Sequence, residues 1–453
     1  MDPSISSEEP ATRLERRRHG RTVDEEQLTA YTDGSCINNG KADAQCGSGV
    51  WIAEGHELNR EIRVPGPRQS NQIGEIVAVI ILLQIAANFA PILIRSDSRY
   101  VIDGLTEHLA DWEDRGWIDV ANAEYFEAAA YHLRKRSAPT DFEWVKGHNQ
   151  NVGNDQADQS ANRGARKQTP DEIDLSIPPA FKLQGAKLST ITQAIAYRGV
   201  RRKLRAKDVP RRATVRNIGL AQAALKDLYG NSETAATIWK QRSHKDIRKP
   251  IQQFLFRALH STYRLGQDWK HIPNYEERAQ CRACGSDNES LQHILVLCPA
   301  ETKELIWKLA RDLWPHGDDA WPDLSFGALL ACGNLTVQPT ATEGIGIRPR
   351  LCQAASTLLR ILVSESLYLI WVLRCEREVG DREHSPQEIV ARWTRTIEDR
   401  LLTDRIIATK LHHRHADMLY LKNTWHKVLL NPPDDWHTNI KVLVGIKPPS
   451  PLL

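Results

Sequence analysis

Cysteine is sparse: eight in 453 residues, too few for a disulfide scaffold in a chain of this length. Three of them crowd into Cys281 to Cys298 and the others are scattered. That usage fits a reducing compartment and a single metal site, so the expected location is intracellular, nuclear or cytoplasmic. A charge excess is also missing, since 60 Lys and Arg against 57 Asp and Glu leave a formal net charge of +3. The balance alone implies no partner, but the basic residues come in blocks. Residues 1–27 contain no apolar core, so they are expected to form a disordered tail rather than a signal peptide. Their "RRRHGR" reads either as a solvated charge run or as a nuclear-import patch. The apolar run Ile76 to Ile94 is about long enough for a bilayer. It holds Gln84, Asn88 and Pro91 between Glu75 and Arg95, so a buried helix and a buried strand are expected, with no membrane partner. The "GSG" at 47–49 is no dinucleotide fingerprint, because no helix follows it.

The length exceeds what one core usually serves. Composition shifts divide the chain into the tail 1–27, a folded domain 28–167, a linker 168–190, a basic helical region 191–270, a cysteine-rich module 271–300 and a helical region 301–453. In the first domain, strands are expected at "LTAYTD", "GSGVWIA" and "HELNREIRVPG". A helix from about Asn71, the strand "PILIRSD", a short helix after it, a helix over "NAEYFEAAAYHLRKR" and the strand "DFEWVKG" follow. Three sequential strands and then helix–strand alternation predict a mixed α/β sheet with helices packed on it.

Acids recur at equivalent places in that pattern. Asp33 is expected to end the first strand, Asp97 ends "ILIRSD", and Glu75 lies in the first turns of the intervening helix. After the last strand, "GHNQNVGNDQADQSANRGA" offers Asp155 and Asp158, either of which can face the others. Converging carboxylates raise one another's pKa values and destabilise a fold unless cations relieve them. Oxygen-only ligands select hard divalent ions, and a pair of such ions suits in-line displacement at phosphorus. Taken singly, Asp33 also reads as a turn residue and Asp97 as a helix N-cap.

"YTDGSC", "RQSNQIGEIVAV", "IRSDSRYVIDGL" and "FEWVKGHNQNVGNDQADQSANRGA" together resemble ribonuclease H of the cellular type-one and retroelement kind, over about residues 28–167. The resemblance implies a ribonuclease H-like fold with a five-stranded mixed sheet. It implies an endoribonuclease that cuts the RNA strand of RNA/DNA hybrids with two Mg²⁺ ions (Mn²⁺ being the alternative) and leaves a 5′-phosphate. The metal-binding acids it implies are Asp33, Glu75, Asp97 and Asp158, with Asp155 left as a helix-start acid. His148 matches a histidine that moves protons or releases product, and as a loop residue it also reads as an idle surface group. Asn39, Asn71 and Gln72 match positions that touch the two strands across the minor groove. Arg68, Ser70 and Asn122 match a pocket for a DNA-strand phosphate. One departure is clear: where many relatives carry a basic protrusion, this chain has the short, acidic "LADWEDRGWIDVAN". The competing readings are a catalytically lapsed, nucleic-acid-binding protein and a DNA nuclease or integrase on the same fold.

Further along, residues 196–216 hold nine Lys and Arg against one Asp, a density expected to contact nucleic acid. "CRACGSDNESLQHILVLC" spaces Cys281, Cys284, His293 and Cys298 for a closed, structural Zn²⁺ site, with the His/Cys pair one helical turn apart. The stretch resembles the zinc-binding segment of non-LTR retrotransposon polyproteins, which implies a retroelement-derived chain of a fungal type; no paired-Asp polymerase motif accompanies it. From Leu351 two long amphipathic helices are expected, and the many tryptophans of this half are expected to pack their core.

Overall fold

The computed structural model describes residues 27–147, 151–183, 185–205, 207–338, 348–412 and 415–448. The chain divides into two compact units, Met1–Val209 and Pro210–Leu453.

In the first unit, β1 (Leu28–Ile37), β2 (Gln45–Trp51), β3 (Arg60–Arg63), β4 (Ile92–Ser96) and β5 (Thr140–Trp144) form one sheet in the order β3-β2-β1-β4-β5. β1 pairs antiparallel with β2 and parallel with β4, and β4 runs parallel to β5. The apolar run is indeed cut in two. Asn71–Ile85 is helix α1, and Pro91 hands the chain to β4. Ten residues of α1 are buried, from Ile73 to Leu83. A helix apolar all round belongs inside a core, and each buried Ile or Leu contributes roughly 1.5–3 kcal/mol. Around it come α2 (Arg99–Thr106), α3 (Leu109–Asp114), α4 (Ala123–Lys135) and α5 (Val152–Arg166). α5 lies directly on β1 and β2 because glycine clears the way: a Cβ at Gly49 would stand 2.1 Å from the carbonyl oxygen of Ala157.

Residues 168–190 are not a free linker. Ile173, Leu175 and Leu183 pack against the sheet's core. Asp171 clasps the outer edge of β3, its Oδ2 accepting from the Arg63 amide at 2.6 Å and its amide donating to the Arg63 carbonyl at 2.9 Å. Covering an edge strand in this way satisfies its unpaired backbone groups. The unit extends through α6 (Gln193–Arg205), so the basic region expected over 191–270 is divided between the two units.

The second unit is helical. It begins with α7 (Arg212–Tyr229), α8 (Ala235–Gln241) and α9 (Lys249–Leu259), followed by α10 (Glu301–Leu313) and α11 (Phe326–Leu330). The two long helices expected after Leu351 are α12 (Arg348–Gly380) and α13 (Pro386–Ile406), and α14 (His415–Trp425) completes the bundle. α12 is long and apolar enough to cross a bilayer, yet 83% of its most apolar window is buried within this unit. Trp314, Trp393, Trp425 and Trp436 are buried in the same core, so they serve packing rather than stacking on bases. Two Arg–carboxylate pairs cross this interior, Arg374 with Glu289 and Arg360 with Asp246.

Candidate active site

Asp33 does not end its strand, contrary to expectation. β1 continues to Ile37 through its pairing with β2, while its parallel pairing with β4 stops at Tyr31↔Arg95. Carried two residues further, that register brings Asp33 level with Asp97, just past the end of β4. Neighbouring strands lie about 4.8 Å apart, so the two residues stand side by side just beyond the last rung of the parallel pairing. Strand ends of this kind are where functional groups collect in α/β sheets.

Each acid is held by its own local device. Asp33 is buried, 7% exposed, and its Oδ1 accepts from the Gly34 amide at 2.7 Å. Gly34 admits α1, since a Cβ there would lie 2.2 Å from the Glu75 nitrogen. α1 starts after Ser70, whose hydroxyl accepts from the Ile73 amide as an N-cap, and this sets Glu75 in the second turn. The Ser98 hydroxyl donates to Glu75 and also caps α2. Ser98, not Asp97, is therefore the cap, which leaves the Asp97 carboxylate free of that duty. The Asp97 carbonyl accepts from Trp144 Nε1 at 3.0 Å, and Asn154 Nδ2 approaches its Oδ2 at 3.5 Å. Asp158 on α5 accepts from Asn162 Nδ2 at 2.9 Å, and Asn162 in turn accepts from the Ser35 hydroxyl at 2.7 Å. Asp155 sits in the first turn of α5, the place of a helix-start acid.

Asp33 feels the charge of each of the other three acids. Burial pushes the Asp33 carboxyl up to about 8, with Asp97, Asp158 and Glu75 adding repulsion against the relief from the Gly34 amide. Glu75 is also raised by burial, opposed by the Ser98 hydroxyl and reinforced by Asp97. Grouped carboxylate oxygens, two of them held back from ionising by burial, fit hard divalent cations, which supply the missing positive charge.

Sequence reasoning passed over Ser98, Asn154, Asn162 and Gly147. The i,i+4 spacing of Asn154, Asp158 and Asn162 was a usable signal, because it places them on one face of α5. His148 lies outside the described residues. Among the residues expected to touch nucleic acid, Asn39 is exposed in the β1–β2 turn, and Asn71 and Gln72 are exposed at the start of α1. Arg68 is ion-paired with Glu124, and Asn122 Nδ2 donates to the Tyr100 hydroxyl at 3.1 Å.

In the second unit, Cys281, Cys284, His293 and Cys298 bring their ligand atoms within 4.8 Å of one another. The Cys281 and Cys298 sulfurs are 3.8 Å apart, and Cys284 Sγ is 3.2 Å from His293 Nε2. Zn–S bonds of about 2.3 Å in a tetrahedron give S···S edges of about 3.8 Å, so the donor set fits Zn²⁺. The turn differs from the expected one: His293–Leu297 is a π-turn closed by the Cys298 amide on the His293 carbonyl at 2.7 Å. Burial pushes the Cys281 thiol up to about 12, as befits a sulfur that needs a cation to ionise.

The sheet order 3-2-1-4-5, with Asp33, Glu75, Asp97 and Asp158 grouped beside its parallel strands, presents a cluster of oxygen donors of the kind that suits a divalent cation. Residues 25–166 match the RNase H family. A ribonuclease HI of Pseudomonas aeruginosa is 36% identical over 151 residues, 31% of this chain and 95% of that protein. The chain therefore belongs, through this domain, to the ribonuclease H family. Mouse ribonuclease H1 is 38% identical over 151 residues, covering 31% of this chain and 51% of its own length. Human ribonuclease H1 is 35% identical over 176 residues, 37% of this chain and 58% of that protein. The chain thus spans about half the length of these mammalian relatives.

Proposed function

We infer that the first unit is an endoribonuclease acting on the RNA strand of RNA/DNA hybrids and leaving a 5′-phosphate. The observation that carries this is the β1–β4 register, which, extended two residues past Tyr31↔Arg95, sets Asp33 beside Asp97, with Ser98 of the same turn holding Glu75 and with Asp158 among the charges Asp33 feels. Asp33, Glu75, Asp97 and Asp158 would hold two Mg²⁺ ions, or Mn²⁺ in their place. When bound, such ions activate a water and stabilise the leaving oxygen at phosphorus. The chain's own residues orient and select. Ser98 fixes Glu75 and Asn162 fixes Asp158. Asn39, Asn71 and Gln72 offer exposed amides that donate and accept, as a 2′-hydroxyl requires. Arg68, Ser70 and Asn122 would receive a phosphate of the DNA strand, the first by exchanging its Glu124 partner, and His148 would move the proton or free the product.

The basic 196–216 stretch is assigned to nucleic acid, and Cys281, Cys284, His293 and Cys298 to a structural Zn²⁺. The spacing of that module supports a retrotransposon-related origin, and the thiol-rich metal set fits an intracellular compartment. Cleavage of a labelled RNA/DNA hybrid beside duplex RNA and duplex DNA, by the wild-type chain and Asp97→Asn in Mg²⁺, tests the activity. Hybrid-only cutting lost in the variant is the expected result. Binding without cutting by the wild type would leave a catalytically lapsed nucleic-acid-binding protein.

A further inference from the structure

Helix α6 lies beyond the residues that match the family, yet it is part of the same compact unit. Its sequence "QAIAYRGVRRKLR" carries five Arg and Lys and no acid. One stripe of it is seated on residues 117–119. Arg198 pairs with Asp119, and Arg202 Nη1 donates to the Trp117 carbonyl at 3.2 Å. Gly199 closes the contact, since a Cβ there would stand 2.9 Å from Cδ1 of Ile118.

Residues 109–119 hold Asp111, Glu113, Asp114 and Asp119 against a single Arg115. An acidic rim beside a nucleic-acid site repels the substrate. Here the rim is neutralised from elsewhere in the chain: Glu113 by Arg134, Asp114 by Lys187 and Asp119 by Arg198. α6 then adds charge beyond neutrality. At 100° per residue, Arg201 and Arg205 fall on the flank that Arg198 begins, next to the seated stripe. Both are exposed, and their guanidinium groups make no ion pair among the described residues. The outward ridge beside them is apolar, with Tyr197, Val200 and Leu204 between 53% and 65% exposed.

The seat is tied to the acid site. Trp117, Asp119 and Asn122 all adopt left-handed backbone conformations (φ 57°, 66° and 55°), a strained path that surrounding contacts must hold. It ends at Asn122, bonded to Tyr100 in the first turn of α2, the helix whose cap Ser98 donates to Glu75.

We propose that α6 is a substrate grip supplied in cis: its Arg201–Arg205 flank holds backbone phosphates of the duplex whose RNA strand lies at the acid site, continuing the path marked by Asn122. The proposal rests on the hybrid reading of that site. It makes residues 27–167 incomplete as a binding surface and gives α6 the task that the acidic 109–122 stretch cannot perform.

The test compares the wild-type chain with Arg201→Ala/Arg205→Ala and with Lys135→Ala, a control at the end of α4 remote from Asn122. Hybrid affinity is measured between 50 and 200 mM salt (ordinary assay conditions, roughly the range over which phosphate contacts are lost), beside steady-state cleavage. The double variant is expected to raise KM about 5- to 20-fold with kcat within about twofold, and to lower the slope of log K against log salt by about 2. Lys135→Ala is expected to behave as wild type. An unchanged KM and salt slope in the double variant would overturn the proposal and give the α6 surface to an apolar partner instead. A fall in kcat alone would overturn it too. A lowered slope in a chain that binds hybrid without cutting it would support the grip while removing the catalytic reading.

Discussion

The Cβ that Gly147 lacks would stand 2.4 Å from Oδ2 of Asp97. Gly147 thus backs the Asp97 carboxylate, which the β1–β4 register sets beside Asp33, and any side chain there must displace the Asp97 oxygen. That oxygen is the far end of a side chain, so it can turn away at small cost. Gly147→Ala is expected to lower stability by less than about 1 kcal/mol while reducing hybrid cleavage at least about 10-fold, since a displacement near 1 Å can cost 10²-fold. Melting temperature and kcat in Mg²⁺, taken on the same preparation, check this. Full activity would show that the Asp97 rotamer is not critical.

Asp33 makes the unit sensitive to pH when no divalent ion is bound. Its folded-state pKa of about 8 lies above the ordinary carboxyl value of 3.8. The stability tied to the protonated form is therefore fully present below about pH 4 and is lost as pH climbs through about 8. In EDTA the first unit is expected to lose stability on the order of a few kcal/mol as pH rises across that window, read as a falling melting temperature. Asp33→Asn should flatten the dependence and abolish cleavage together, and Mg²⁺ should restore the wild-type melting temperature at pH 8. A wild-type curve flat from pH 4 to 8 would contradict it.

Zinc should behave as a fold element of the second unit. One Zn²⁺ per chain is expected by elemental analysis. Cys284→Ser or a strong chelator should destabilise that unit by several kcal/mol and so lower its melting temperature, because a closed site contributes its binding energy to folding. The kcat for hybrid in excess Mg²⁺ should stay near the wild-type value. A metal-free chain with an unaltered transition would remove the zinc assignment.

Glu289 is fully buried, and both of its carboxylate oxygens accept from Arg374, itself 8% exposed. Removing one partner leaves an unpaired buried charge, so Glu289→Ala is expected to cost about 3–5 kcal/mol in urea unfolding. Glu289→Ala with Arg374→Leu should recover a large part of that loss. Equal instability in the single and double variants would show that volume, rather than charge, dominates the site.

Local chemistry alone determined much of this protein. The continuous apolar run, Pro91 and the caps set α1 and β4, and the ordered acids with their flanking motifs singled out Asp33, Glu75, Asp97 and Asp158 as the candidates. The Cys/His spacing likewise selected four side chains that the fold brings together. Such features depend on neighbours in the chain, which is why they can be read from it. Tertiary structure decided the rest, because each remaining feature depends on partners far away in sequence. β1 runs past Asp33 only because β2 pairs with its second half. Residues 168–190 lie down on the domain because β3 has an edge to cover and Ile173, Leu175 and Leu183 find the core. Asn162 holds Asp158 only once α5 is pressed onto a glycine-lined strand. The basic helix α6, which composition showed merely as charge, acquires a direction when Arg198 meets Asp119, and no local pattern encodes that meeting.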